Sequence, residues 1–270
     1  MIYEQIDRPQ RKQEAAELLR TAQVSPKGMT ALYLGLVLAL DLISSLGGEG
    51  FLGIFVSILA TLLCAVLAAG FALYCMAIRR GERAEYLTLF DGFSFVGKLI
   101  LLEIVTSLFI ILWSMLFVIP GIIAAYLYSF ALYNLYENPG IGVMEALDMS
   151  KQQTIGYKAQ LLMLDLSYFG WVLLARFPAA VLTTMIRRDL ADYYLYGTAM
   201  PDTYFGLPIL VLDVLFGLWN IAVSLFYYPN YLCVHLSYFE TAKRTSGLGL
   251  GTEPPRRSNW NGWDAPDGLG

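Results

Sequence analysis

The chain has 270 residues, 57% of them hydrophobic and 15% charged, with a net charge of −4. Soluble domains carry roughly 25% charged residues, so this composition does not suit a water-covered surface, and the acidic balance excludes a general nucleic-acid binder. Cys64, Cys75 and Cys233 sit in or beside apolar segments without a CxxC pair. They read as small apolar helix residues, and predict neither a disulfide framework nor a zinc site.

Residues 1–29 are expected to be a cytoplasmic amphipathic segment. They are polar and lack the apolar run of a secretory signal, which leaves targeting to the first membrane helix. Within them 7–22 reads as a helix. Ala15, Leu18, Leu19 and Ala22 make one apolar stripe at i, i+3, i+4 and i+7, with Arg8, Arg11, Lys12 and Arg20 around it. A basic amphipathic helix fits an anionic membrane surface; the alternative is a solvated helix packed on a loop. Ser25, Pro26 and Gly28 break the chain after it.

A transmembrane helical domain is expected over 30–240. Its first span covers 30 to about 46, followed by a tight turn at Gly47, Gly48, Glu49 and Gly50. The second covers 51–78 and stops at Arg79, Arg80 and Arg83. Residues 84–97 mix Leu87, Phe90, Phe93 and Phe95 with polar residues, which suits an interfacial segment. From 99 to 136 the chain is apolar but for Pro120-Gly121. One straight helix there would run roughly 57 Å, about twice the hydrocarbon thickness. Either it is sharply kinked, or Pro120-Gly121 is the turn between two spans.

Residues 141–158 form another amphipathic segment, with Met144, Leu147 and Met149 beside Glu145, Asp148 and Lys151. A span over 159–186 precedes a Tyr-rich polar loop at 187–205. A last span covers 206–228, and Pro229 opens a short aromatic helix ending near Glu240. Residues 241–270 are expected to be a polar C-terminal tail, disordered from about 245 onward.

Lys and Arg placement favours the turn over the kink. With six spans, fifteen of the eighteen basic residues fall in the four inner segments. Only Arg176, Arg187 and Arg188 lie elsewhere, the last two in violation of the rule. Both termini are then cytoplasmic. The fold class is an all-α, polytopic transmembrane bundle of about six membrane helices with interfacial helices. Aromatics close the second helix of each hairpin (Phe71 and Tyr74, Tyr133 and Tyr136, Tyr227 and Tyr228). This is either an internal repeat or, as favoured, the ordinary aromatic belt.

The motifs Gly70-Phe71-Ala72-Leu73-Tyr74, Phe90-Asp91-Gly92-Phe93 and Trp113-Ser114 lead in order to Ile119-Pro120-Gly121-Ile122-Ile123. Glu137-Asn138-Pro139, Glu145-Ala146-Leu147, Ser150-Lys151, Leu164-Asp165-Leu166-Ser167 and Gly170-Trp171 follow. Their order and spacing over roughly 10–240 resemble a bacterial integral-membrane family catalogued as domain of unknown function 975. The resemblance implies a multi-helix fold in a bacterial plasma membrane, and supplies no activity and no catalytic residues.

No catalytic, cofactor-binding or metal residues are predicted, and no cofactor. His235 is the one histidine and reads as interfacial, whereas a zinc site needs several ligands. Intramembrane charge is the remaining signal, since it is costly and often functional. Asp41 and Glu103 lie near span ends, within reach of the interface. Asp165, Arg176 and Asp213 lie deeper and, with Asn220, form the candidate intramembrane polar site. Depth arithmetic at 1.5 Å per residue predicts that Arg176 pairs with Asp213 and that Asp165 finds a polar neighbour such as Asn220. These features point to a non-enzymatic membrane protein that interacts with lipids and a possible membrane protein partner. The alternative is a small transporter or transporter subunit using the charged residues and the helix break.

Overall fold

A computed structural model describes residues 4–249 apart from 49, 200 and 202. The described residues hold six helical stretches long and apolar enough to cross a membrane, as a multi-pass membrane protein requires. In chain order come α1 (Arg8–Thr21), α2 (Pro26–Ser45) and α3 (Phe51–Arg79), a 3-10 segment at Tyr86–Phe95, then α4 (Val96–Leu116). They are followed by α5 (Val118–Leu127), α6 (Ala131–Glu137), α7 (Val143–Gln153) and α8 (Lys158–Tyr196). A two-residue hairpin, β1 (Thr203–Tyr204) with β2 (Leu207–Pro208), leads into α9 (Ile209–Ser246).

The apolar stripe of α1 is used on protein. Ala15 is fully buried, and Leu18, Leu19 and Ala22 pack against the main core beside α9 and α3. The chain breaks between α1 and α2 as expected, and Ser25, Pro26 and Gly28 shape the start of α2. The Ser25 hydroxyl accepts from the Gly28 amide, and Pro26 occupies the first turn, where an amide donor has no helical partner anyway.

The 3-10 segment lies directly on α3 because two glycines permit it. A Cβ at Gly70 would sit 1.7 Å from the Leu89 carbonyl oxygen, and one at Gly92 would sit 2.6 Å from that of Val66. Thr88, Leu89 and Gly92 are buried, while Leu87, Phe90 and Phe93 stay exposed.

The helix break expected at Pro120-Gly121 exists, displaced to Phe117, whose backbone is extended (φ −159°, ψ 154°). The chain reverses there, and α5 packs back along α4. Pro120 sits in the first turn of α5, where the missing donor is not needed. Gly121 lets the helices touch, since a Cβ there would meet the Ser114 hydroxyl at 2.0 Å. The returning stretch is itself broken between α5 and α6. Ser150 of α7 closes that gap. Its hydroxyl donates to the Leu127 carbonyl (2.7 Å) and accepts from the Phe130 amide (3.2 Å).

Two expected breaks do not occur. The helix does not end at 186 but runs to Tyr196 with Pro178 inside, and α9 continues through Pro229 to Ser246. Pro178 deprives the Leu174 carbonyl of its helical donor. The Trp219 indole N–H supplies a replacement at 2.9 Å. Because α9 extends to Ser246, the expected tail begins later than 241. Residues 250–270 of that tail lie outside the described residues.

Candidate functional site

The polar groups fall into three sets, and one carboxylate joins three helices. Asp165 accepts from the Tyr126 hydroxyl of α5 (2.6 Å) and the Tyr231 hydroxyl of α9 (2.9 Å). Two phenol donors on one carboxylate are charge-assisted bonds, stronger than neutral ones. The Tyr231 ring then lies edge-on to Tyr168 at 5.4 Å and 6.2 Å from His235. His235 packs among aromatic rings. It stands between Phe130, Tyr133 and Tyr231, its Nδ1 3.1 Å from the Tyr133 hydroxyl. Its one legible neighbour was Tyr231, one turn earlier on the same helix.

A second link ties α1 to this group. The Tyr168 hydroxyl donates to Asn230 Oδ1, whose amide donates to the Lys12 carbonyl (3.1 Å). The Lys12 ammonium lies 4.1 Å from the centre of the Tyr168 ring, a cation–π contact. Burial, with Arg8 adding like charge, pushes Lys12 below the ordinary lysine value.

The second set lies at the end of the bundle where α3, α6 and α9 finish. Glu137, 6% exposed, accepts from both Arg80 and Lys243. Arg79 pairs with Glu240 and Arg244 with Glu4. Lys98 donates to the carbonyls of Pro139 and Ile141. Just inside, Asn134 and Gln153 exchange two amide hydrogen bonds of 2.7 and 3.0 Å while fully buried. None of these residues was singled out as a site from the sequence, because each pairing joins segments far apart in the chain.

The third set is loose. Arg176 and Asp213 are both exposed and form no ion pair with each other among the described residues. The expected pairing of Arg176 with Asp213 is therefore corrected. Asn220 is half-buried and is not a partner of Asp165. The reason is register. Trp219 sits beside Leu174, and Tyr168 beside Asn230. Asp213 is thus about four residues, roughly 6 Å, off the level of Arg176. The expected depths were measured from an inner end at 228, whereas α9 continues to Ser246.

Among the described residues no three His, Cys, Asp or Glu side chains converge as metal ligands. Cys75 and Cys233 are buried as apolar residues of α3 and α9.

Residues 115–197 match the family model described as Protein of unknown function (DUF975), the family that the motifs resemble. The match begins at the α4–α5 turn and ends where α8 ends, so it includes Gly121, Asn134, Glu137, Ser150, Gln153 and Asp165. No curated protein and no solved structure matches the chain.

Proposed function

We propose that the chain is a non-enzymatic protein of a bacterial plasma membrane, with both termini cytoplasmic, that works by organising lipid or a membrane partner around a closed helical body. The observation that carries this reading is that buried and half-buried carboxylate and amide groups of the bundle engage partners on other helices. Asp165 is taken up by Tyr126 and Tyr231, Asn134 by Gln153, and Glu137 by Arg80 and Lys243. Such bonds lock helices together. The transport alternative is left with Asp165, since Arg176 and Asp213 stand apart.

The orientation follows from charge. The pairs Arg80–Glu137–Lys243 and Arg244–Glu4 gather the N-terminal segment, the α3 end, the α6 end and the α9 end on one side. Those segments and α7 carry most of the lysine and arginine, which favours the cytoplasmic side. A broad apolar surface on the outer half of α3, from Phe51 to Leu59, and along α4 into the start of α5, from Leu101 to Ile119, is left for lipid or a partner helix.

Affinity purification of the full chain from native membranes, with identification of lipids and proteins retained, tests this reading. Reproducible retention of a lipid class or a membrane protein is expected. Purification free of both, together with substrate accumulation in vesicles that depends on Asp165, would instead favour transport.

A further inference from the structure

We propose that the groove between the N-terminal segment, α8 and α9 binds the phosphate headgroup of an anionic phospholipid. The proposal rests on the lipid-organising reading and gives it a site and a ligand class.

The groove has a volume of about 210 Å³ and is lined by Gln5, Arg8, Gln160 and Tyr238, with Ala159 and Met163 as its apolar wall. Tyr238 is fully buried, yet its hydroxyl has no hydrogen-bond partner among the described residues. A buried donor left without an acceptor is costly and calls for an explanation. The charges of Arg8 and Arg11 both reach that phenol. Arg11 is paired with Glu14. Arg8 gives one bond to the Met163 carbonyl and forms no ion pair among the described residues. A guanidinium has five donors in a fixed fork, so several remain for an anion placed against the Tyr238 hydroxyl. Cation, orphan hydroxyl donor and Gln5 amide together suit phosphate oxygens.

The surroundings select a lipid as the source of that phosphate. The groove lies at the first turn of α8, next to Lys158, at the charged end of the bundle. From it runs an exposed apolar stripe on α8: Leu162, Leu166, Phe169 and Leu173, at i, i+4, i+7 and i+11. A headgroup in the groove sends its acyl chain along that stripe.

The test uses the full chain in nanodiscs of equal phosphatidylglycerol and phosphatidylcholine, followed by delipidation and mass spectrometry of retained lipid. Wild type is expected to keep phosphatidylglycerol selectively. Arg8→Gln should weaken its retention roughly tenfold, the scale of one charged hydrogen bond, and Tyr238→Phe should weaken it several-fold. Tyr238→Phe removes one unbonded oxygen, so the lipid-free protein should melt no lower than wild type. Unchanged retention in both variants overturns the site. So does equal protection by inorganic phosphate alone, which would make the ligand a soluble anion. A wild type without lipid preference that still captures a partner from native membranes overturns the site but not the wider reading.

Discussion

The two halves of α3 lie in the same helix and meet different surroundings. Phe51 near its start is 87% exposed, whereas Phe71 near its end is fully buried. The first half is mostly exposed. The second is enclosed by the 3-10 segment, by α9 and by the stack of Tyr33, Phe71 and Tyr228, whose ring centres lie 5.2 to 6.0 Å apart. The same division runs through the molecule. One end is interlocked by Glu137, Asp165, Asn134 and the aromatic rings; the other carries Asp213, without an ion pair among the described residues, and the apolar flanks of α3 and α4. Lipid tails are as apolar as leucine, so apolar contact alone gives membrane helices little reason to associate. Close packing, hydrogen bonds and ring stacking supply the cohesion, and they are concentrated at the charged end.

The comparison predicts unequal costs for similar substitutions. The largest is expected at Glu137, where Glu137→Gln leaves Arg80 and Lys243 facing each other without a counter-charge. Breaking a buried pair costs about 3–5 kcal/mol, so thermal unfolding in detergent should show a large loss. A change near zero would mean that solvent screens this cluster.

Next comes Asp165. Tyr126→Phe removes one of its two phenol donors, and a bond to a charged group contributes about 1.5–3 kcal/mol. Tyr231→Phe should cost a similar amount and the pair should be non-additive, read from a double-mutant cycle. Independent effects would show that Asp165 does not couple α5 to α9.

Two glycines give a sharper contrast. Gly70→Ala forces a methyl against the Leu89 carbonyl oxygen, 1.7 Å from its ideal position, whereas at Gly170 nothing lies within 4 Å. Overpacking of this kind costs about 1–3 kcal/mol, while alanine in an open helical site gains roughly 0.5–1 kcal/mol. Opposite signs in the two melting temperatures are expected, and equal ones would contradict the close approach of the 3-10 segment.

The smallest effect is expected at the loose end. Arg176→Leu and Asp213→Leu should combine additively to within about 0.3–0.5 kcal/mol, as separate sites do. A larger coupling would restore the ion pair that the helix register rules out.

Much of the architecture was legible in the sequence for a physical reason: a span is a local property of composition and length. The hairpin near Pro120 was readable because 38 apolar residues exceed one bilayer crossing, though the turn itself fell at Phe117. The long α8 and α9 were not readable, since proline breaks a helix unless something replaces the lost donor. For Pro178 that replacement is Trp219, forty-one positions later in the chain and invisible to local pattern. The candidate site failed on the same account. Depth locates a residue along its helix, but pairing also needs the register and the face, and both were set by the uninterrupted α9. Asp165 was singled out correctly as a residue that needs partners. Tyr126 and Tyr231 were not singled out, because nothing local marks which tyrosine of a membrane helix faces a carboxylate on another helix.

The central claim is that the charged end faces the cytoplasm and that six crossings, reversing at Phe117, put α7 on that side and the tip of α8 on the other. Single cysteines at Glu145 of α7 and Tyr194 of α8, in a chain with Cys64, Cys75 and Cys233 replaced by alanine, test it directly with a membrane-impermeant maleimide. Tyr194→Cys is expected to label in intact cells, and Glu145→Cys only after permeabilisation. Labelling of Glu145→Cys from outside intact cells, with Tyr194→Cys protected, would contradict the orientation; labelling of both from the same side would contradict the six crossings.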